Sequence, residues 1–169
     1  MLLKSVETEP SPWALYSLAI LNRDKGESEK ETDYMLRAFK LCPDNLSIAK
    51  EVLRSLYNNK RFNLLTEVYE KLSEAHKQEP RCMVYYAFAL VDGGKIASAE
   101  EILYKDGGII IPDIRECETI TLDLWIAIEK KKAELSGKVF DEENIDPPTF
   151  VDFRMFSNVQ WLMGGEILR

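Results

Sequence analysis

Tyr86-Ala87-Phe88-Ala89-Leu90-Val91-Asp92-Gly93-Gly94-Lys95-Ile96-Ala97-Ser98-Ala99-Glu100-Glu101-Ile102-Leu103 is the stretch on which the fold turns. It reads as helix, turn, helix. The glycine pair permits the positive φ that a helix end commonly needs, so the first run stops there and a second can start. Ala87 and Ala99 are small, and two helices carrying them at their facing positions can approach closely. Pro80 suits the first turn of the leading helix, where its missing N–H costs nothing. The second helix is expected over residues 96–104, with Gly107-Gly108 closing it.

Counting outward from this unit, residues 12–45, 46–79 and 80–113 superimpose as three 34-residue blocks without a gap. Their fourth residues are Leu15, Ala49 and Met83, and their seventh Leu18, Val52 and Tyr86. Their eighth are Ala19, Leu53 and Ala87, and their twenty-fourth Met35, Tyr69 and Leu103. Apolar character therefore returns wherever a helix pair must bury. In the first block Ser11-Pro12 opens a helix to about Asp24, Gly26 marks the turn, and a partner runs from about Ser28 to Leu41 before Pro43-Asp44-Asn45. In the second, helices are expected at about Leu46 to Tyr57 and Phe62 to Lys77, around Asn58-Asn59-Lys60-Arg61.

This period and pattern resemble the tetratricopeptide repeat. The resemblance implies an all-α superhelical array of about three helical hairpins, in which stacked neighbours cover one another's apolar faces and leave a concave wall for another molecule. The first block departs from the family with Glu31 at its twentieth position, and the second has Leu53 and Leu65 where the family places small residues. Hairpins of a related superhelical type are the alternative.

After Pro112 the rhythm changes. Ile114, Cys117, Ile120, Thr121, Leu124, Trp125 and Ile128 keep helical spacing, so a long capping helix is expected over residues 114–136. Lys130, Lys131 and Lys132 fall in its last turns, where cations favour the negative end of the helix dipole; they read as a solvated end. The organisation expected is thus an N-terminal extension (1–11), three repeats (12–113), the cap (114–136) and an irregular C-terminal tail (137–169). Pro147-Pro148 forbids a helix through that point, and residues 150–156 alternate enough to be extended. Phe150, Phe153, Met155, Phe156 and Trp161 give the tail apolar surface that must dock on the repeats or on another chain.

Pro147-Pro148-Thr149-Phe150-Val151-Asp152-Phe153-Arg154-Met155, after such repeats, resembles the C-terminal end of large bacterial proteins. Those proteins join a domain of unknown function (DUF5107), similar to the β-sandwiches of carbohydrate-active enzymes, to a string of tetratricopeptide repeats. The resemblance implies a bacterial origin, as a C-terminal fragment or a short relative. It also implies a second role, as a structural module packing on such a domain or on a second copy of itself.

Composition bounds the partners. The chain has 169 residues, 46% of them apolar and 30% charged, which suits one globular body burying roughly 70% of its unfolded surface. A net charge of -7 disfavours nucleic acid, whose phosphates draw on a surplus of Lys and Arg. Cys42, Cys82 and Cys117 are scattered and odd in number, so they read as reduced thiols with neither a disulfide framework nor a zinc spacing. No export signal and no run of ~20 apolar residues is present, so a cytoplasmic location away from membranes is expected.

Catalysis is not expected. The single histidine, His76, reads as an exposed surface residue outside any nucleophile motif, and the adjacent pair Glu100-Glu101 diverges by about 100° on a helix. No phosphate-cradling loop, cofactor motif or metal ligand set is recognised. In the tetratricopeptide family the groove is lined by the second, fifth, ninth, twelfth and thirteenth residues of each first helix. Carried over, that surface includes Tyr16, Arg23, Lys50, Arg54, Tyr57, Asn58, Arg81 and Phe88, beside Trp13 and Ile20. Lys50, Arg54 and Tyr57 share one helical stripe. The expected partner is a protein or peptide segment bearing a carboxylate, with Lys50 and Arg54 as charge partners and aromatic walls from Tyr16, Tyr57 and Phe88.

Overall fold

A computed structural model describes residues 11–115, 118–142, 145–149 and 151. Over these the chain is all-helical, with eight α-helices, one short 3-10 turn and no strand. It divides into two compact units, Met1–Ala89 and Leu90–Arg169.

The first unit contains α1 (Pro12–Asp24), α2 (Ser28–Leu41), α3 (Leu46–Asn58), α4 (Phe62–Glu70), the single turn α5 (Glu74–Lys77) and most of α6 (Pro80–Asp92). Consecutive helices pack on one another from α1 to α4. The links of three or four residues between them can only return the chain, so α1–α2 and α3–α4 are antiparallel hairpins. The α1 helix starts at Pro12 and buries Ala14, Leu15, Leu18 and Ala19 along one stripe. The α3 helix is started by Asn45, whose Oδ1 accepts from the Ile48 N–H at 3.0 Å. It buries Ile48, Ala49, Val52, Leu53 and Leu56, while α2 contributes Met35, Ala38 and Phe39. Each fully buried aliphatic residue is worth roughly 1.5–3 kcal/mol against exposure, so this core, more than helix propensity, holds the hairpins together.

One backbone device recurs at the block spacing. Gly26, Lys60 and Gly94 occupy the same block position, and all three have positive φ, at 73°, 56° and 74°. Each closes the preceding helix with the same pair of bonds. The Gly26 N–H donates to Arg23 O (2.9 Å) and the Glu27 N–H to Asn22 O (2.9 Å). Lys60 donates to Tyr57 O (3.0 Å) and Arg61 to Leu56 O (2.8 Å); Gly94 donates to Val91 O (3.0 Å) and Lys95 to Leu90 O (2.8 Å). These are Schellman closures, which satisfy carbonyls that a helix end leaves without partners. The turn geometry therefore repeats even where the middle block lacks glycine.

The continuous helix expected over residues 62–77 is interrupted. The chain leaves α4 after Glu70, Leu72 is buried, and Ser73 restarts a turn by accepting from the His76 N–H at 3.3 Å. A serine hydroxyl competes with helical bonding more effectively at a helix start than in a helix interior, which is why the break falls there. The Tyr69 hydroxyl then donates to Lys77 O at 2.9 Å, bridging the break.

The second unit holds the end of α6, α7 (Ile96–Leu103), the 3-10 turn Lys105–Gly107 and α8 (Ile120–Leu135), with α7 packed on α8. The cap expected from residue 114 begins only at Ile120. Ahead of it the Arg115 N–H donates to Glu118 Oε2 (2.9 Å) and the Glu118 N–H to Arg115 O (3.0 Å), a closed turn that competes with helix propagation. Gly137 (φ 67°) ends α8 with another Schellman closure, Lys138 N–H to Ala133 O at 2.8 Å. The three lysines of α8 are ion-paired: Lys130 with Glu142, Lys131 with Glu134, and Lys132 with both Glu129 and Glu100. Val151 is buried. Phe150, Phe153, Met155, Phe156, Trp161 and Cys117 lie outside the described residues, as does the extended stretch expected at 150–156 apart from Val151. No helix among the described residues is long and apolar enough to cross a membrane.

Candidate functional site

The groove residues named above lie on α1, α3 and the part of α6 that belongs to the first unit. Four of them are aromatic: Trp13, Tyr16, Tyr57 and Phe88. Trp13 is 55% exposed and meets Tyr16 edge-on, with ring centroids 6.3 Å apart. Tyr16 and Ile20 are half-buried beside it. On α3, Tyr57 packs against Phe88 at 4.5 Å and Tyr85 at 5.5 Å, and the Lys60 ammonium sits over its ring at 4.8 Å. Asn58 is exposed, whereas Arg81 and Phe88 are buried. Phe88 is thus a core residue more than a wall, because Tyr57 lies across it.

The cations expected to meet a ligand carboxylate already face carboxylates of the chain. Lys50 Nζ lies 2.6 Å from Glu79 Oε1. Glu79 in turn accepts from the Arg81 and Cys82 N–H groups at 2.9 and 3.2 Å, which makes it the cap of α6. Arg54 Nη2 lies 2.8 Å from Glu51 Oε2, one turn back on the same helix. That pair is close but poorly aligned, since Glu51 Oε2 and Arg54 Nε are both buried without a hydrogen-bond partner. A positive stripe exists in sequence; in space it is largely neutralised.

Arg23 belongs to a cluster that the sequence reading did not assemble. Its Nε donates to Glu31 Oε1 at 2.7 Å, the Ser55 hydroxyl donates to the same oxygen at 2.8 Å, and Asn59 Nδ2 donates to Glu31 Oε2 at 3.1 Å. Asn59 Nδ2 also reaches Thr32 Oγ1 at 3.4 Å. Glu31 is only 3% exposed and Ser55 is fully buried. Burial alone would push the Glu31 carboxyl up, but donation from Asn59, Arg23 and Ser55, with the Arg23 charge, outweighs it and holds the group below the ordinary glutamate range. The available signal was Glu31 itself: at a block position where the other repeats have Leu65 and Ala99, a buried carboxylate must find donors.

A second cluster surrounds the break after α4. Tyr69 and Tyr86 stack at 4.0 Å with planes 3° apart. Burial, with smaller contributions from Cys82, Tyr86 and Glu74, pushes the Tyr69 phenol up to about 12. His76, expected on the open surface, is half-buried with its Nδ1 enclosed and without a hydrogen-bond partner. Among the described residues no group of three or more His, Cys, Asp or Glu side chains is placed to hold a metal ion.

Compared with models of protein families, with curated proteins and with solved structures, the chain matches none of them.

Proposed function

We infer that the chain is a tetratricopeptide-type interaction scaffold that holds a protein or peptide segment against the first helices of its hairpins, without catalysis of its own. The observation that carries this reading is the left-handed closure repeated at Gly26, Lys60 and Gly94, which gives three 34-residue blocks the same helix-turn-helix joint. On that frame Trp13 and Tyr16 present aromatic surface to solvent from α1, the kind of side chain that dominates recognition energetics. Lys50 and Arg54 bind a ligand carboxylate by exchanging it for Glu79 and Glu51. Such an exchange is close to energetically even, so these cations set orientation more than strength.

The test is selection from a random peptide library with free C-termini, followed by fluorescence anisotropy of the selected peptides. Trp13→Ala with Tyr16→Ala is expected to weaken binding at least tenfold, and Lys50→Ala with Arg54→Ala a few-fold, more for carboxylate than for amidated termini. Binding that ignores both pairs of substitutions sinks the scaffold reading. Ile110, Leu135 and Val139 of the second unit are 69%, 67% and 97% exposed, which favours a second reading: a structural module packing on another domain or on a second copy. Light scattering on the same samples separates the two, since a strictly monomeric chain whose mass is unchanged by Val139→Asp argues against self-association.

A further inference from the structure

The junction between the first and second hairpins, which lies wholly in the first unit, uses polar residues that the sequence does not repeat at the equivalent positions one block on. There Glu31 of α2 meets Ser55 of α3, Asn59 just beyond α3, and Arg23 of α1. At the corresponding positions of the next block, the sequence has Leu65, Ala89, Gly93 and Tyr57. Leu65 and Ala89 are buried, and Tyr57 packs on the rings of Tyr85 and Phe88.

This difference has a geometric consequence. Ser55 and Asn59 are one turn apart, and they donate to the two different oxygens of Glu31. If α2 slid along α3 by a turn toward its start, Ser55 would fall where Asn59 stood and Val52 or Glu51 where Ser55 stood, so the carboxylate would lose one of its two α3 donors and meet an apolar surface or a like charge in its place. Losing a donor to an enclosed carboxylate, or gaining a like charge beside it, is unfavourable. An apolar junction lacks this discrimination, because one methyl group can replace another at little cost.

We propose that the Arg23, Glu31, Ser55 and Asn59 cluster is a register determinant, admitting one alignment of the α1–α2 hairpin on α3 and excluding those displaced by a turn. The role is one of specificity, distinct from stabilisation, since buried ionic groups of this kind often add little net stability over apolar replacements.

The experiment places the next block's residues at this junction with Arg23→Tyr, Glu31→Leu and Ser55→Ala in the full chain. The variant is expected to keep its helical circular dichroism while the amide resonances of residues 28–41 split into more than one set. A single set, as in the parent, overturns the proposal. Because the triple variant risks not folding, Ser55→Ala with Asn59→Ala serves alongside it, retaining the Arg23–Glu31 pair but removing both donors on the α3 side. The amide resonances of Ser28–Leu41 are then expected to double while those of Phe62–Glu70 stay single. Faster amide exchange without doubling, or doubling in both helices, overturns the proposal, since it reports lost stability and not a second register.

Discussion

Lys60 holds a backbone conformation that glycine holds at both equivalent positions. A side chain with a Cβ in the left-handed region costs about 1 kcal/mol or more relative to glycine, partly offset because glycine is freer in the unfolded chain. Lys60 recovers a little through its ammonium over Tyr57. Lys60→Gly is therefore expected to stabilise by roughly 0.5 kcal/mol, read as a raised urea midpoint at constant slope. Gly26→Ala should do the reverse by about 1 kcal/mol; nothing lies within 4 Å of the added Cβ, so the cost is conformational and not steric. Glu31 makes the second residue-scale case. Its folded carboxyl titrates below its unfolded value, so the stability it contributes is present above roughly pH 4.3 and is lost as pH falls through the folded value. Glu31→Gln should abolish that component, and parallel acid titration curves for the two proteins would contradict the assignment. The carboxylate was visible in the sequence as a misfit; two of its donors, Ser55 and Asn59, were not, because they come from the following repeat.

At the scale of elements, α1, α2 and α3 lie within a residue of the bounds that Pro12, Gly26 and Pro43-Asp44-Asn45 mark in the sequence, and the misses share one cause. Apolar spacing runs on through Leu72 and through Ile114, but local polar groups intervene: Ser73 restarts one helix, and the turn between Arg115 and Glu118 delays another. Periodicity records which face is buried and does not register a hydroxyl or carboxylate that captures a backbone N–H. Tyr69 links the two sides of the first break. Its phenol, raised to about 12, is protonated in the fold at pH values where an unfolded tyrosine ionises. The stability it contributes is thus intact below about pH 10 and is lost as pH rises from there through 12. Tyr69→Phe, which keeps the stack on Tyr86 but loses the bond to Lys77 O, should cost about 1 kcal/mol at neutral pH. It should also flatten the alkaline limb of the unfolding profile; an unchanged alkaline limb would refute the role given to the phenol.

For the molecule as a whole, the all-α class was legible because every block carries the same burial pattern. Ala19, Leu53 and Ala87 at the eighth block position are fully buried, as are Leu65 and Ala99 at the twentieth. The proposed binding surface was less legible. A stripe of Lys50 and Arg54 is a property of one helix, whereas Glu79 reaches Lys50 from the start of another, and the repeat pattern holds no record of that contact. For a chain of net charge -7, partner binding through these cations should weaken with added salt, while binding through Trp13 and Tyr16 should not. The matching joints at 26, 60 and 94 also bear on how such a chain can change length. Excising residues 27–60 or residues 61–94 would each splice one left-handed joint onto the next and remove a whole period. Only the second cut leaves Arg23, Glu31, Ser55 and Asn59 together; the first strands an arginine whose counter-charge has gone. A chain shortened by residues 61–94 should therefore keep its helical circular dichroism to a higher temperature than one shortened by residues 27–60.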